Sequence, residues 1–383
     1  MLIEKQKILY ILTKSDLGGV SKYLLEITKE LPDNITPYYI MSSEGYFSEE
    51  LIKLGISEEQ IFFVPMTNSI VDLETHIKSN LETLKIIKQI KPDLIHCNSM
   101  TGGIVGRICG FLTKTPVIFT AHGWTFSGGY SKPKIIFYKV LETLLAFLTK
   151  KIICVSEYDR QIGIRTMPFF KNKMVTIHNG ISDIPEENKK QYPSPLEGEG
   201  RVRGEDELKI VMIARFANPK DPYTLIFAVH ELVKEGYNIK LDLYGYGEEI
   251  DKVLNCIKKQ NDNNIQYKGK ISDVIPILKN YDIYALISKK EGLPIGVLEA
   301  MQCGLPLLLS SVGGMTELIE GNGLFVKSQD ILDCRKQIKL LWDKRENLPA
   351  MGQKSRKLYE KEFTAEKMIK KTCNMIGELL CEE

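Results

Sequence analysis

Short apolar runs of strand length alternate with longer helical patterns along nearly all of the 383 residues, and this alternation restricts the fold more than any other feature of the chain. Strand, helix, strand is the pattern of parallel sheets, because a parallel connection must cross over and the crossing helix then covers a face. The first half carries strand-like runs at Lys7–Thr13, Tyr38–Ser42, Ile61–Val64, Leu94–Cys97, Val117–Ala121, Ile152–Val155 and Val175–His178. A second series passes through Leu208–Ala214, Leu241–Tyr244, Ile265–Lys268, Ile283–Ile287, Leu307–Leu309 and Leu324–Val326. Each series predicts one doubly wound sheet, so the fold class is α/β with two Rossmann-like domains. Leu73, Ile77, Leu81, Leu84 and Ile87 recur at three- and four-residue steps and predict a helix from Leu73 to Ile90, stopped by Pro92.

Between the two series lies Tyr192-Pro193-Ser194-Pro195-Leu196-Glu197-Gly198-Glu199-Gly200, a composition that cannot bury enough apolar area to offset its ordering entropy. The expected division is therefore an N-terminal domain over residues 1–181, a linker or mobile insertion over 182–207, and a second domain over 208–363. A last helix over 364–383 is expected to cross back to the first domain. Arg201 and Arg203 leave open a phosphate-gripping role for the insertion beside that of a solvated loop.

The 43% hydrophobic and 26% charged content is that of a soluble globular protein, and a net charge of +2 supplies no whole-molecule field for nucleic acid. Eight cysteines are scattered without a Cys-x-x-Cys pair or a metal-ligand spacing, which reads as thiols in a reducing cytoplasm. Ile8–Leu12 is too short for the core of a signal peptide. The longest apolar stretch, Ile135–Leu148, is interrupted by Lys139, Glu142 and Thr143, and a spanning helix needs about 20 apolar residues, so none is expected. Lys132, Lys134, Lys139, Lys150 and Lys151 surround that stretch, which reads either as a surface for an anionic membrane or as a core helix with solvated ends.

Ligands of open parallel sheets sit beyond the carboxyl ends of the strands, so the loops that leave the strands carry the functional information. Gly18-Gly19 leads from the first strand straight into a helix, where bare backbone lets a phosphate approach. Gly245-Tyr246-Gly247 lacks the third glycine of a dinucleotide fingerprint. The loop after Ile283–Ile287 contains Glu291-Gly292-Leu293-Pro294, and Pro294 opens a helix that carries Glu299 within its first two turns. Glu299 suits a vicinal diol, since a carboxylate accepts from two adjacent hydroxyls. Arg215 and Lys220 follow the first strand of the second domain. A guanidinium that grips phosphate oxygens in pairs and an ammonium point charge can neutralise a leaving diphosphate in place of a divalent metal. No Asp-x-Asp metal motif occurs in the chain.

With these residues in view the sequence resembles the retaining glycosyltransferases of family 4, also called group 1 glycosyltransferases, whose GT-B architecture sets two Rossmann-like domains facing a central cleft. The matching marks are Glu291-x7-Glu299 with Gly292-Leu293-Pro294 and Leu298-Glu299-Ala300-Met301, Arg215-x4-Lys220, and Ser310-Ser311-Val312-Gly313-Gly314. Gly18-Gly19, Thr120-Ala121-His122-Gly123 and Ile177-His178-Asn179-Gly180 add to them in the first half. Ala214 departs from the family, which usually has glycine there.

The resemblance implies that Arg215 and Lys220 hold the donor diphosphate, Glu299 the ribose and Glu291 the hydroxyls of the donor sugar. It further implies that Gly18 and Gly19 sit against the phosphates, that Gly269, Lys270 and Ile271 lie beside the base, and that His122 lies near the transferred sugar. Glu291, His122, Arg215 and Lys220 are then the expected catalytic residues. Gly292, Leu293 and Pro294 join the donor-binding set. No metal or other cofactor is expected, the co-substrate being a nucleoside-diphosphate sugar with UDP favoured by family frequency. The expected acceptor is a glycan or a polyprenyl-linked glycan of bacterial surface polysaccharide synthesis, handled in the cytoplasm or at the inner face of its membrane. Two other readings share some of these features: an isomerase like the UDP-sugar 2-epimerases, and a non-catalytic nucleotide-sugar-binding module. The intact Glu-x7-Glu with Arg-x4-Lys speaks against both.

Overall fold

The structure is a computed structural model that describes residues 5–67, 72–128, 130–184 and 207–381. The chain forms two compact units, one running to Gly180 and resuming at Ala365, the other spanning Ile181–Thr364. Most of the segment read as an insertion, residues 185–206 with Arg201 and Arg203, lies outside the described residues; Ser182 and Asp183 belong to the second unit, where Ser182 O and Asp183 Oδ1 accept from Gln302 and Asp183 pairs with Arg356.

The first unit is built on seven parallel strands: β1 (Gln6–Ile11), β2 (Ile35–Met41), β3 (Ile61–Phe63), β4 (Leu94–Asn98), β5 (Val117–Ala121), β6 (Lys151–Cys154) and β7 (Met174–Thr176). Their spatial order is β3-β2-β1-β4-β5-β6-β7. The second unit has six strands, β8 (Leu208–Arg215), β9 (Ile239–Tyr246), β10 (Ile265–Gly269), β11 (Ile283–Leu286), β12 (Leu307–Ser310) and β13 (Gly323–Val326), in the order β10-β9-β8-β11-β12-β13. Both orders reverse direction once, between β1 and β4 and between β8 and β11. Strand ends differ from the apolar runs by up to three residues because pairing decides them: β2 begins at Ile35, opposite Gln6, and continues through Pro37, opposite Ile8. Covered on both faces, β4 and β5 are buried along their whole length.

The helix Leu73–Ile90 forms where the periodicity puts it, but with a different face inward. Leu73, Ile77 and Leu81 are exposed, and the helix buries Ser79, Thr83, Ile87 and Ile90. Ser79 can be buried because its hydroxyl lies within hydrogen-bond reach of the carbonyls of both Pro65 and Thr75. The C-terminal helix Ala365–Cys381 belongs to the first unit, where Met368, Ile369, Met375, Ile376 and Leu379 are buried and the Gly180 N–H approaches Met368 Sδ at 3.2 Å. No helix among the described residues is long and apolar enough to cross a membrane.

Glu142, which interrupts the apolar stretch in sequence, is an anchor in the fold. It lies in the helix Lys132–Phe147 and accepts two bonds from Arg107 of the helix Met100–Thr113, at 2.8 and 3.3 Å, with both side chains 5% exposed or less. Arg107 also donates from Nε to Gly103 O and lies 4.2 Å from the centre of the Phe119 ring. Paired, the two charges are tolerated; single, either would be stranded in a low dielectric. Glu142→Ala is expected to lower the unfolding free energy by about 3 to 5 kcal/mol in urea denaturation, and Arg107→Met combined with Glu142→Leu to recover most of that loss.

His96 in β4 is the second buried polar feature of this unit. Its Nε2 meets Thr120 Oγ1 at 2.7 Å, and its Nδ1 has no partner among the described residues. Burial first, and then the neighbouring His122, lower its pKa from 6.5 to about 3. The unfolded chain therefore binds a proton below pH 6.5 that the folded one refuses, and stability falls as the pH drops from 6.5 toward 3. Between pH 7.5 and 5 the wild type is expected to lose on the order of 2 kcal/mol more than His96→Gln, read from denaturation midpoints at both pH values. Parallel profiles for the two proteins would contradict this.

Candidate functional site

The reversal between β8 and β11 places two loops side by side, and the structure ties them together. Arg215 ends β8 and is exposed. The chain then turns, with Ala217 N–H donating to Arg215 O and Lys220 N–H to Ala217 O, both at 2.9 Å. Lys220 bridges to Ser288 beyond β11, Asp221 N–H donates to Ile287 O, and Lys289 N–H donates to Pro219 O. Ser288 is fully buried, its hydroxyl 3.1 Å from the carbonyls of both Pro219 and Lys290. Asp221 then caps the helix Pro222–Lys234 by accepting from Thr224 N–H, with Pro222 at the first helical position.

Across this seam Lys220 Nζ and Glu291 Oε1 form an ion pair, with 18% and 11% of their side-chain surfaces exposed. Glu291 stays on the loop, and its backbone is pressed by the turn Gly313–Glu317. A Cβ on Gly313, which has φ +58°, would stand 1.8 Å from Glu291 O, so only glycine permits the approach. Pro294 is the residue preceding the helix Ile295–Gln302, and Leu293 beside it is buried. Glu299 is the fifth residue of that helix. Both carboxylates act on the buried Tyr284 hydroxyl: burial, then Glu299, then Glu291 push its pKa far above the ordinary tyrosine range. Tyr284 Oη donates to Ile213 O at 3.1 Å, and a Cβ on Gly296 would lie 2.8 Å from that hydroxyl and 3.9 Å from Glu299 Oε2. Glu291 and Glu299 thus both act on one buried tyrosine, with Lys220 paired to Glu291 and Arg215 on the same loop as Lys220.

Gly269, Lys270 and Ile271 leave β10, two strands from β8. Gly269 has φ +94° and follows a register slip against β9, and Lys270 Nζ lies 5.4 Å from the centre of the Tyr246 ring. Gly245 and Gly247 are explained by packing: Cβ atoms there would fall 1.8 Å from Ala214 O and 2.4 Å from Phe216 O.

The remaining sequence-predicted residues are in the first unit, at its own strand ends. Gly18 precedes the helix Gly19–Lys29 in extended conformation, and a Cβ on Gly19 would meet nothing within 4 Å. His122 follows β5, with its Nε2 3.0 Å from Asn98 Oδ1 and its ring nearly perpendicular to that of Tyr23, the centres 4.7 Å apart. Burial lowers its pKa from 6.5 to about 3, which keeps the imidazole neutral. His178 lies just beyond β7. Ser288, Tyr284, Gly313 and Asn98 escaped the sequence reading. Gly313 was visible only as part of a family mark, and the others gain their importance from contacts between distant segments that no local pattern announces.

Residues 17–183 match the family model described as Glycosyltransferase Family 4, and residues 199–358 match that described as Glycosyl transferases group 1. The chain is 30% identical over 325 residues to the O-antigen biosynthesis glycosyltransferase WbnH of Escherichia coli, covering 84% of this chain and 86% of that one. It is 28% identical to the Escherichia coli UDP-Gal:alpha-D-GlcNAc-diphosphoundecaprenol alpha-1,3-galactosyltransferase, with 85% of each covered. Among solved structures, Anabaena Alr3699/HepE in complex with UDP and glucose superposes with a TM-score of 0.79 at 18% identity, over 97% of this chain and 100% of that one, which gives both units the GT-B fold class. Two Rossmann-like units, a carboxylate and cation set at the β8–β11 reversal, and these matches together place the chain in the group 1 glycosyltransferase family.

Proposed function

We propose that the protein transfers a hexose-type sugar, with retention and without a metal, from a nucleoside-diphosphate sugar to a lipid-linked or free glycan in bacterial surface polysaccharide synthesis. The observation that carries this reading is the Lys220–Glu291 pair at the loop seam, with Glu299 close by and Arg215 on the same loop. An ammonium has three donors, so Lys220 can hold Glu291 and still offer N–H groups to a diphosphate. Arg215 adds a guanidinium that takes phosphate oxygens in pairs, and two fixed cations stabilise the leaving group without a divalent ion. Glu299 would accept from the ribose hydroxyls. Glu291 would orient the sugar and stabilise positive charge at its ring. His122 serves the transferred sugar. Retention would follow from attack on the face that the diphosphate leaves, or from a covalent intermediate. UDP is favoured by the name of one relative, which acts from UDP-Gal on a diphosphoundecaprenol-linked sugar.

Lys220→Ala and Glu291→Ala are each expected to cut turnover roughly a hundred- to a thousandfold, as loss of a transition-state contact does. Because the two side chains are partners, the double variant should fall well short of the product of the single losses. Wild-type turnover should survive EDTA, and free UDP should appear only when a glycan acceptor is present. Release without an acceptor, or near-normal turnover in both variants, would defeat the assignment.

The acceptor reading brings the helix Lys132–Phe147 into play. It buries Tyr138, Glu142, Leu145 and Ala146, while Ile136, Phe137, Val140, Leu144 and Phe147 are 44% to 68% exposed, and Phe169 nearby is 94% exposed. A row at steps of four, with Lys132, Lys134 and Lys139 among it and Lys150 just beyond, suits the surface of an anionic bilayer. The wild type should float with anionic vesicles and much less with neutral ones, and Val140→Glu with Leu144→Glu should abolish flotation. Failure of the wild type to float would remove membrane docking from the proposal.

A further inference from the structure

Asn98 closes β4 at the reversal between β1 and β4, fully buried, and stands between two histidines. Its Nδ2 donates to the backbone carbonyl of His96 at 3.3 Å, and its Oδ1 lies 3.0 Å from His122 Nε2. The orientation of the amide follows from chemistry. Were it flipped, its oxygen would face the His96 carbonyl, oxygen against oxygen, and its NH2 would lose a buried acceptor. An amide oxygen only accepts, so the nitrogen facing it must carry the proton. The groups around the imidazole agree. Tyr23, from the helix Gly19–Lys29, stands with its ring nearly perpendicular to the imidazole, and its hydroxyl lies 3.4 Å from Thr120 Oγ1; His96 is itself neutral; no carboxylate pairs with the ring among the described residues. His122 Nδ1 makes no hydrogen bond among the described residues.

We propose that Asn98 is a positioning residue that holds His122 as the neutral Nε2–H tautomer and leaves Nδ1 as a bare acceptor for a hydroxyl of the ligand. Burial, which keeps His122 neutral across the physiological range, supports the same state. The use made of Nδ1 rests on the reading that His122 serves the transferred sugar, whereas the tautomer itself does not depend on that reading.

The test is a long-range proton–nitrogen correlation spectrum of the full chain, without ligand, labelled with nitrogen-15 histidine. With five histidines in the sequence, His122 is assigned by the signal missing from His122→Gln. The expected wild-type pattern at pH 7 is a protonated Nε2 and an unprotonated Nδ1. Asn98→Leu should convert it to a tautomer mixture and lower kcat/KM three- to tenfold, the worth of one neutral hydrogen bond. Asn98→Asp, which can still accept from Nε2, should restore the tautomer but raise the His122 pKa, so that an acid limb enters the pH profile. A wild-type His122 protonated on Nδ1 or on both nitrogens, or an unchanged tautomer in Asn98→Leu, would overturn the proposal. The expected spectra in a protein that transfers no sugar would instead count against the functional reading and leave the positioning role standing.

Discussion

The parallel strand order, reversing once in each unit, is the constraint on which the remaining architecture depends. At a reversal, neighbouring strands send their helices to opposite faces, and the two exit loops part over a gap that no crossover covers. In the second unit that gap lies between β8 and β11, and the chain fills its floor with backbone pairing: Lys220 to Ser288, Asp221 to Ile287, Lys289 to Pro219. Ser288 must be small and must carry a hydroxyl, because it is fully buried against two carbonyls. Only with that floor in place can an ammonium and a carboxylate 71 positions apart in sequence meet with so little of either exposed.

The first unit repeats the topology and uses its gap differently. Gly18 and Gly19 leave one side bare, while Asn98 on the other side faces inward to organise His96 and His122. The second unit thus presents charges on a rigid seam, and the first presents open backbone and neutral hydrogen-bonding groups.

Much of this was legible in the sequence because period and spacing are local. Thirteen strands fall on the apolar runs to within three residues at either end, and the helix starts at Asp221-Pro222 and near Pro294 were readable from capping chemistry. Orientation was less legible. Leu73, Ile77 and Leu81 have helical spacing yet face outward, since the face turned inward is the one that carries Ser79, bonded to the carbonyl of Thr75, with Thr83, Ile87 and Ile90. Glu142 looked like a break in an apolar run, and its partner Arg107 lies 35 residues earlier on another helix. Gly245 and Gly247 resembled part of a nucleotide fingerprint, but they are required by the passage of β9 over the end of β8. In each case the deciding contact joins segments that are remote in sequence.

The Lys220–Glu291 pair also bears on how such a site manages charge before its ligand arrives. An ammonium with under a fifth of its surface exposed would be costly alone, and the glutamate meets that cost in the unliganded protein. A diphosphate brings more negative charge than the pair can neutralise, so in the proposed reading the balance shifts to Arg215, which is exposed and free of that desolvation cost. Lys220 is then held in place by Glu291 while its remaining N–H groups turn to phosphate. In the same reading, as the diphosphate leaves and its charge grows, the attraction to both cations would strengthen, whereas Glu291 would stay beside the sugar ring, where positive charge develops. In that reading one carboxylate would serve the resting protein as a counter-ion and the reacting one as an electrostatic partner, so its position on the seam would matter as much as its charge.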